Sequence, residues 1–317
     1  MKHTEFKKAA KTHQIEYREQ KIKSADYNKY PTWLTDEDAK RGKNFFNGLG
    51  IFDKAKKYRP IYFSYPLSRG RVNLFSDMLR SEHIPFNLFV PFKQNKQSLE
   101  FCKQVFNEIL GNCIQSIEKI KIEYAPPITE EKKYLNDRTS FDTYIEYTHT
   151  DNSKGIIAIE VKYTEKEYPL VKYQKNKETG EKELTKSWTD VENFKNKDEN
   201  SIYLNVTKAC KLYKEENFTH LVEDKFRQIW RNHLLVESIL IEDKDEFKHA
   251  YSLIFYPKDN EHFTEIGNKY SEMLADNKKD KFRLVTFEKF IEICRSCKPS
   301  SEFEKWIDYL QERYIVK

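Results

Sequence analysis

The sequence predicts an α/β fold in which helices flank a mixed central β-sheet, with a mostly helical N-terminal extension. Three observations carry this prediction. Apolar residues recur at helical spacing over 98–110 and 223–241. Two β-rich runs, 140–148 and 156–163, flank a polar turn that contains Gly155. Two further short apolar runs, 252–256 and 282–287, each precede a helical stretch.

Taken in order, residues 1 to about 30 are Lys-rich and helix-compatible, and read as a partly ordered arm. Thr35-Asp36-Glu37-Asp38 reads as a helix N-cap with acids in the first turn. Pro60-Ile61-Tyr62-Phe63-Ser64-Tyr65-Pro66 reads as a short extended piece, and 72–92 as an apolar stretch broken by Pro85 and Pro91. Leu99, Cys102, Val105, Phe106, Ile109 and Leu110 line one helical stripe, which Gly111-Asn112 ends. A strand is expected over 117–124, closed by Pro126-Pro127, and an antiparallel hairpin over 140–163. The strongly charged residues 165–200 read as an inserted loop or arm, and a closing helix surrounds Trp306 and Leu310.

Composition narrows the classes. Mean hydropathy is −0.85, and no run approaches the ~18 apolar residues of a membrane helix. The start, Met1-Lys2-His3-Thr4-Glu5-Phe6, has no apolar core of a secretory leader, so a cytoplasmic location with no membrane partner is expected. Aromatics at 15 % exclude a disordered chain. Five cysteines, an odd number, argue against a disulfide framework. Cys294-Arg295-Ser296-Cys297 has the spacing of half a zinc site, but no second pair follows, so it reads as two free thiols. The formal charge of +5 does not locate a polyanion patch.

The chemistry-bearing pattern lies in Ile156-Ile157-Ala158-Ile159-Glu160-Val161-Lys162. Side chains alternate along a strand, so Glu160 and Lys162 project to one side and Ile159 and Val161 to the other. Charges beside a buried strand must be satisfied by something. Asp142 lies 160 − 142 = 18 positions upstream, and a turn at about 150–154 places it roughly across from Glu160 or a little beyond. Two converging carboxylates raise each other's pKa unless a cation sits between them. Mg²⁺ is commonly held by one or two carboxylates with waters and phosphate oxygens. Lys162 beside such an ion could orient or activate a water, or neutralise charge developing on phosphorus. Acid-x-Lys also occurs at Glu5, Glu131, Glu223, Glu242 and Glu246, but only the Glu160 copy follows a run of apolar β-formers. The competing reading is a surface salt bridge at a strand end.

Ser140-Phe141-Asp142 followed by Ile159-Glu160-Val161-Lys162 resembles the PD-(D/E)xK nuclease superfamily, closest to the PGN_0703-like restriction endonuclease family. Asn87-Leu88-Phe89 with Pro91, Leu212-Tyr213 and the stretch from Gln228 to Leu235 add to the likeness, which covers about 80–290. The resemblance implies a restriction-endonuclease-like core and a Mg²⁺-dependent DNA endonuclease, with Mn²⁺ as a substitute ion. It implies Asp142, Glu160 and the Val161 carbonyl as metal ligands, with Lys162 as base or charge stabiliser. Gln228 matches a glutamine that some branches place on the helix behind the site. A water held by the ion would attack phosphorus and leave a 5′-phosphate. Phe141 stands where the motif's name has Pro. For the acid that some members carry on the first helix, Glu108 and Glu82 are the candidates. The angle of Glu108, opposite the apolar stripe, favours a solvated role. The implied organisation is a helical extension over 1–79, a core over 80–290 with the charged insert 165–200, and a C-terminal helical extension over 291–317. Double-strand cleavage would suit a homodimer, since one such site cuts one strand at a time.

Other residues are read without the family. Gln228 and Arg231 share a neighbouring helix face and offer donors for a phosphate or for the site carboxylates. His233 reads as a satisfied buried histidine and Glu165 as a strand-end surface acid. Lys172, Lys175 and Lys186, interleaved with Tyr173 and Trp188, could track a nucleic-acid backbone. The acids among them equally suit a solvated face. The alternative to catalysis is a nuclease fold that binds DNA or assembles without turnover. A second is an unrelated interaction protein whose hairpin carries only salt bridges.

Overall fold

Among the described residues the central sheet has five strands, each a run that buries at least one face. In the computed structural model the described residues are 1–27, 30–58, 73–128, 133–167, 169–176 and 178–316, so the extended piece expected at 60–66 lies outside them. The N-terminal part contains α1 (His3–Tyr17), β1 (Asp26–Tyr27), β2 (Tyr30–Leu34), α2 (Asp36–Lys40), α3 (Ile51–Tyr58), α4 (Asn73–Ser76), α5 (Ile84–Phe89) and α6 (Lys96–Leu110). The middle contains β3 (Ile114–Tyr124), β4 (Phe141–His149), β5 (Lys154–Val161), β6 (Tyr173–Lys175), β7 (Lys182–Leu184), α7 (Lys186–Lys195), α8 (Ile202–Cys210), α9 (Phe218–Leu221) and α10 (Asp224–Glu242). Then come β8 (Phe247–Tyr256), α11 (Glu261–Glu272), β9 (Phe282–Thr286), α12 (Phe287–Ser296) and α13 (Ser301–Tyr314).

The sheet order is β3-β4-β5-β8-β9. β3, β4 and β5 pair antiparallel, and β5, β8 and β9 pair parallel. This is the mixed sheet flanked by helices that the sequence predicts. β5 is central and apolar on both faces, as a strand covered by helices on both sides must be. Ile157, Ile159 and Val161 enter a core shared with α1, α6, α12 and α13. Ile156 and Ala158 enter a second core shared with α8, α10 and α11. The edge strand β3 alternates differently, with Glu118 and Lys119 exposed. Lys119 and Lys121 reach Glu146 on β4 at 3.6 and 3.8 Å.

Local signals were accurate where a cap or a close approach fixes the backbone. Thr35 caps α2 by accepting from the Asp38 N–H at 3.3 Å, and Gly111, at φ 90°, ends α6 in the left-handed region that glycine enters without strain. Gly155, expected in the turn, lies instead within β5, facing Tyr147 across the β4–β5 pair, and a Cβ there would sit 2.3 Å from the ring.

Three expectations need correction. The N-terminal arm is a docked helix, because Phe6, Ala10 and Gln14 are fully buried. The charged segment 165–200 is not one long loop: it holds the β6–β7 hairpin and α7, whose Val191 and Phe194 are buried. Glu165 is half-buried and accepts the backbone N–H groups of Ser81 at 2.7 Å and Tyr163 at 3.1 Å, tying the strand end to the turn over 81–83. Among the described residues no helix is long and apolar enough to cross a membrane.

Candidate active site

Asp142 is the second residue of β4, Glu160 the penultimate residue of β5, and Lys162 the first residue beyond it. Thr143 pairs with Ile159 and Tyr144 with Ala158, so the same antiparallel register carries Asp142 directly opposite Glu160. Directly opposed residues project to the same face. The Lys162 N–H donates to the Phe255 carbonyl at 2.8 Å, extending the parallel ladder one residue past β5. That bond keeps Lys162 extended and on the Glu160 side. The group sits at the carboxyl ends of β5, β8 and β9, where α/β sheets place their ligand crevices.

Glu160 and Lys162 retain only 7 % and 3 % exposure. Lys162 Nζ lies 2.6 Å from Glu160 Oε1. Gln228 Nε2 donates to the same oxygen at 2.7 Å, and Asn232 Nδ2 donates to Oε2. Gln228 and Asn232 are four apart on α10, on one face. This gives both amides on the inward side of α10 a carboxylate to donate to. Asp142 Oδ2 accepts the Val161 N–H at 2.6 Å. Burial raises the Asp142 pKa well above the carboxylate range, with Glu160 and Glu123 adding to the rise and Lys162 opposing it.

Glu123 is the acid the sequence reading missed. Ile122 pairs with Thr143 and Tyr124 with Phe141, so Glu123 stands on β3 beside Asp142. Its backbone is left-handed, at φ 52°, and the Tyr58 hydroxyl donates to its Oε2 at 3.3 Å. No sequence spacing marks it, since Glu118 and Glu123 look alike on a charged edge strand. Asn232 was equally unmarked, though the i, i+4 relation to Gln228 could have flagged it.

The other candidates lie elsewhere or do other work. Glu108 is exposed on α6, near Cys297. Glu82 lies in the short turn over 81–83, and the third carboxylate acting on Asp142 is Glu123 instead. Arg231 does not join Gln228 at the carboxylates. Its Nη2 meets Asp137 Oδ2 at 2.5 Å and Thr139 Oγ1 at 2.8 Å, and its Nε donates to the Tyr203 hydroxyl at 3.1 Å. The Arg231 charge holds the Asp137 carboxyl below its ordinary range despite burial. His233 is a buried, structurally used histidine, stacked on Phe282 and 3.1 Å from the Tyr270 hydroxyl, with a pKa lowered to about 3 by burial. Lys172 lies over the Tyr173 and Trp188 rings, Lys175 ends β6, and Lys186 donates to the Asn136 carbonyl at 3.2 Å.

The donor set suits a hard cation. Burial raises the Asp142 pKa, Glu160 and Glu123 add to the rise, and the Lys162 ammonium opposes it. A divalent ion held by oxygen ligands opposes that rise as well. A family model described as "PD-(D/E)XK nuclease superfamily" matches residues 2–316. No curated protein and no solved structure gives a match.

Proposed function

Because the chain belongs to the PD-(D/E)XK nuclease superfamily, we propose that it is a Mg²⁺-dependent DNA endonuclease whose centre is Asp142, Glu160 and Lys162. The observation that supports this most is the pairing of Asp142 against Glu160 on adjacent strands, with the Lys162 ammonium 2.6 Å from Glu160. Asp142, Glu160 and the Val161 carbonyl would hold the ion, with Glu123 as a further carboxylate beside Asp142. When bound, Mg²⁺ supplies Lewis-acid polarisation of a phosphoryl oxygen and lowers the pKa of a water.

The protein's own residues supply the rest. Gln228 and Asn232 donate to both oxygens of Glu160 and fix the carboxylate plane. Lys162, held extended by its bond to Phe255, keeps an ammonium where charge develops on phosphorus and can orient the attacking water. The buried setting strengthens these interactions by excluding solvent.

The test is nicking of supercoiled plasmid with and without Mg²⁺. Wild type should nick only with the ion. Asp142→Asn and Lys162→Met should each lower the rate by at least about a hundredfold. DNA retention without nicking under Mg²⁺ or Mn²⁺ would instead support a catalytically silent binding protein. Nicking unaffected by both substitutions would remove this centre from the account.

A further inference from the structure

A second constellation lies at the opposite end of the sheet. His149 ends β4, Asp151 sits in the turn that follows, and His249 lies near the start of β8. His149 is seven residues beyond Asp142 on one strand, about 23 Å at strand rise. The two places are therefore distinct. His149 Nδ1 accepts the Asp151 N–H at 3.2 Å and lies 3.1 Å from Asp151 Oδ1, and His249 Nε2 is 2.8 Å from Asp151 Oδ2. The two imidazoles stack at 3.8 Å between centroids with 16° between planes. One ligand atom from each of the three residues falls within 4.8 Å of the others.

The backbone holds these groups in place. The His149 N–H donates to the Ser153 carbonyl at 2.7 Å and the Thr150 N–H to the Cys113 carbonyl at 3.0 Å, which anchors the turn to β3's threshold. Asn152 takes the left-handed conformation the turn needs. Asp151 Oδ1 accepts the Ser153 N–H at 2.9 Å and the Ser153 hydroxyl at 2.5 Å, which orients the carboxylate. Across the pairing, Lys154 meets Phe247 and Gly155 meets His249, so β8 carries an extra residue there. Such a bulge re-aims a side chain, and here it directs His249 toward the hairpin tip.

We propose that His149, Asp151 and His249 form a binding site for one borderline transition-metal ion of the Zn²⁺ class, which clips the β4–β5 turn to the start of β8. Two imidazoles and one carboxylate suit Zn²⁺, Co²⁺ or Ni²⁺, whereas Mg²⁺ prefers all-oxygen sites. Tetrahedral Zn²⁺ with bonds of 2.0–2.1 Å separates its ligand atoms by about 3.3 Å. The His–Asp separations of 3.1 and 2.8 Å are hydrogen-bond distances close to that value, so the ion takes the place of these contacts once the stacked rings turn to bring both lone pairs onto it. Three protein ligands leave one position for water.

The test uses the full-length protein stripped with chelator and kept in Mg²⁺. Zn²⁺ is titrated by calorimetry, and Co²⁺ by its visible absorption. One equivalent should bind wild type. The affinity should fall by more than about tenfold in His149→Gln and in His249→Gln. Asp142→Asn should bind as wild type does, so this result is separable from the nuclease reading. Folding of each variant is checked by circular dichroism. If a His variant misfolds, Asp151→Asn carries the same expectation. Absence of Zn²⁺ and Co²⁺ binding to wild type, or binding unchanged in the ligand variants, would overturn the proposal and leave a metal-free His–Asp–His clasp.

Discussion

At the scale of single residues, Glu160 decides most. It takes a buried ammonium and two amide donors, so its neighbours are worth more together than apart. Removing one member of a buried ion pair leaves an uncompensated charge, which typically costs about 3–5 kcal/mol. We expect Lys162→Met alone to destabilise the ion-free protein strongly, and Glu160→Gln with Lys162→Met to recover much of the loss. Urea unfolding of both variants checks this, and additive losses would contradict it. Asn232→Leu leaves Glu160 Oε2 without its donor and should cost about 1–3 kcal/mol by the same measurement. The pair of Asp142 and Glu160 was legible in the sequence, because strand alternation and a short turn nearly dictate that they meet. Glu123 was not, because nothing in a charged edge strand distinguishes an acid that faces a site from one that faces water.

At the scale of elements, α10 combines the site amides with a half-buried acid, Glu237. Burial raises the Glu237 pKa to about 7, with Lys278 and Lys281 opposing the rise. The folded state then holds a proton that the unfolded chain releases near 4.5. The contribution of Glu237 is fully present below that value and is lost as pH rises toward and through 7. Glu237→Gln should therefore raise stability at pH 8, by on the order of 1–2 kcal/mol, and leave it unchanged at pH 4. Thermal melts across that window would show it, and an equal gain at both pH values would count against it. In the hairpin, Gly155→Val forces a Cβ against the Tyr147 ring and should cost about 1–3 kcal/mol, read by denaturant midpoint. Elements with one strong period were readable from sequence: the helix expected over 98–110 is Lys96–Leu110, and the one over 223–241 is Asp224–Glu242. α1 reads as a loose arm because its few apolar residues are interspersed with Lys7, Lys8 and Lys11, and local composition cannot show that Phe6 finds Tyr163 across the fold.

At the scale of the whole molecule, a buried polar seam joins the two ends of the chain. Gln14 Nε2 donates to the Tyr163 hydroxyl at 2.8 Å and the Arg313 carbonyl at 2.7 Å, and Arg313 donates to Gln14 Oε1 and to Asn44 Oδ1. Asn87 donates to the Tyr314 hydroxyl at 2.7 Å, and Trp306 donates to the Asn87 carbonyl at 2.7 Å. Tyr163 directly follows Lys162, so α1 and α13 brace the residue next to the proposed centre. Gln14→Leu should cost about 1–3 kcal/mol and slow Mg²⁺-dependent nicking, although Gln14 touches none of the carboxylates. Nicking at the wild-type rate in a destabilised Gln14→Leu protein would separate the seam from the chemistry. None of this was legible in advance: partners 299 positions apart carry no local signal.

The outer strand of the sheet has a further consequence. β3 runs eleven residues and, among the described residues, has one side unpaired, long enough to template annealing of a second polypeptide. Its charged residues Glu118, Lys119 and Lys121 mix signs, so a like strand laid alongside would meet charge in most registers. A chain stripped of these three residues would be expected to self-associate into β-rich precipitate at concentrations where the native sequence stays dispersed.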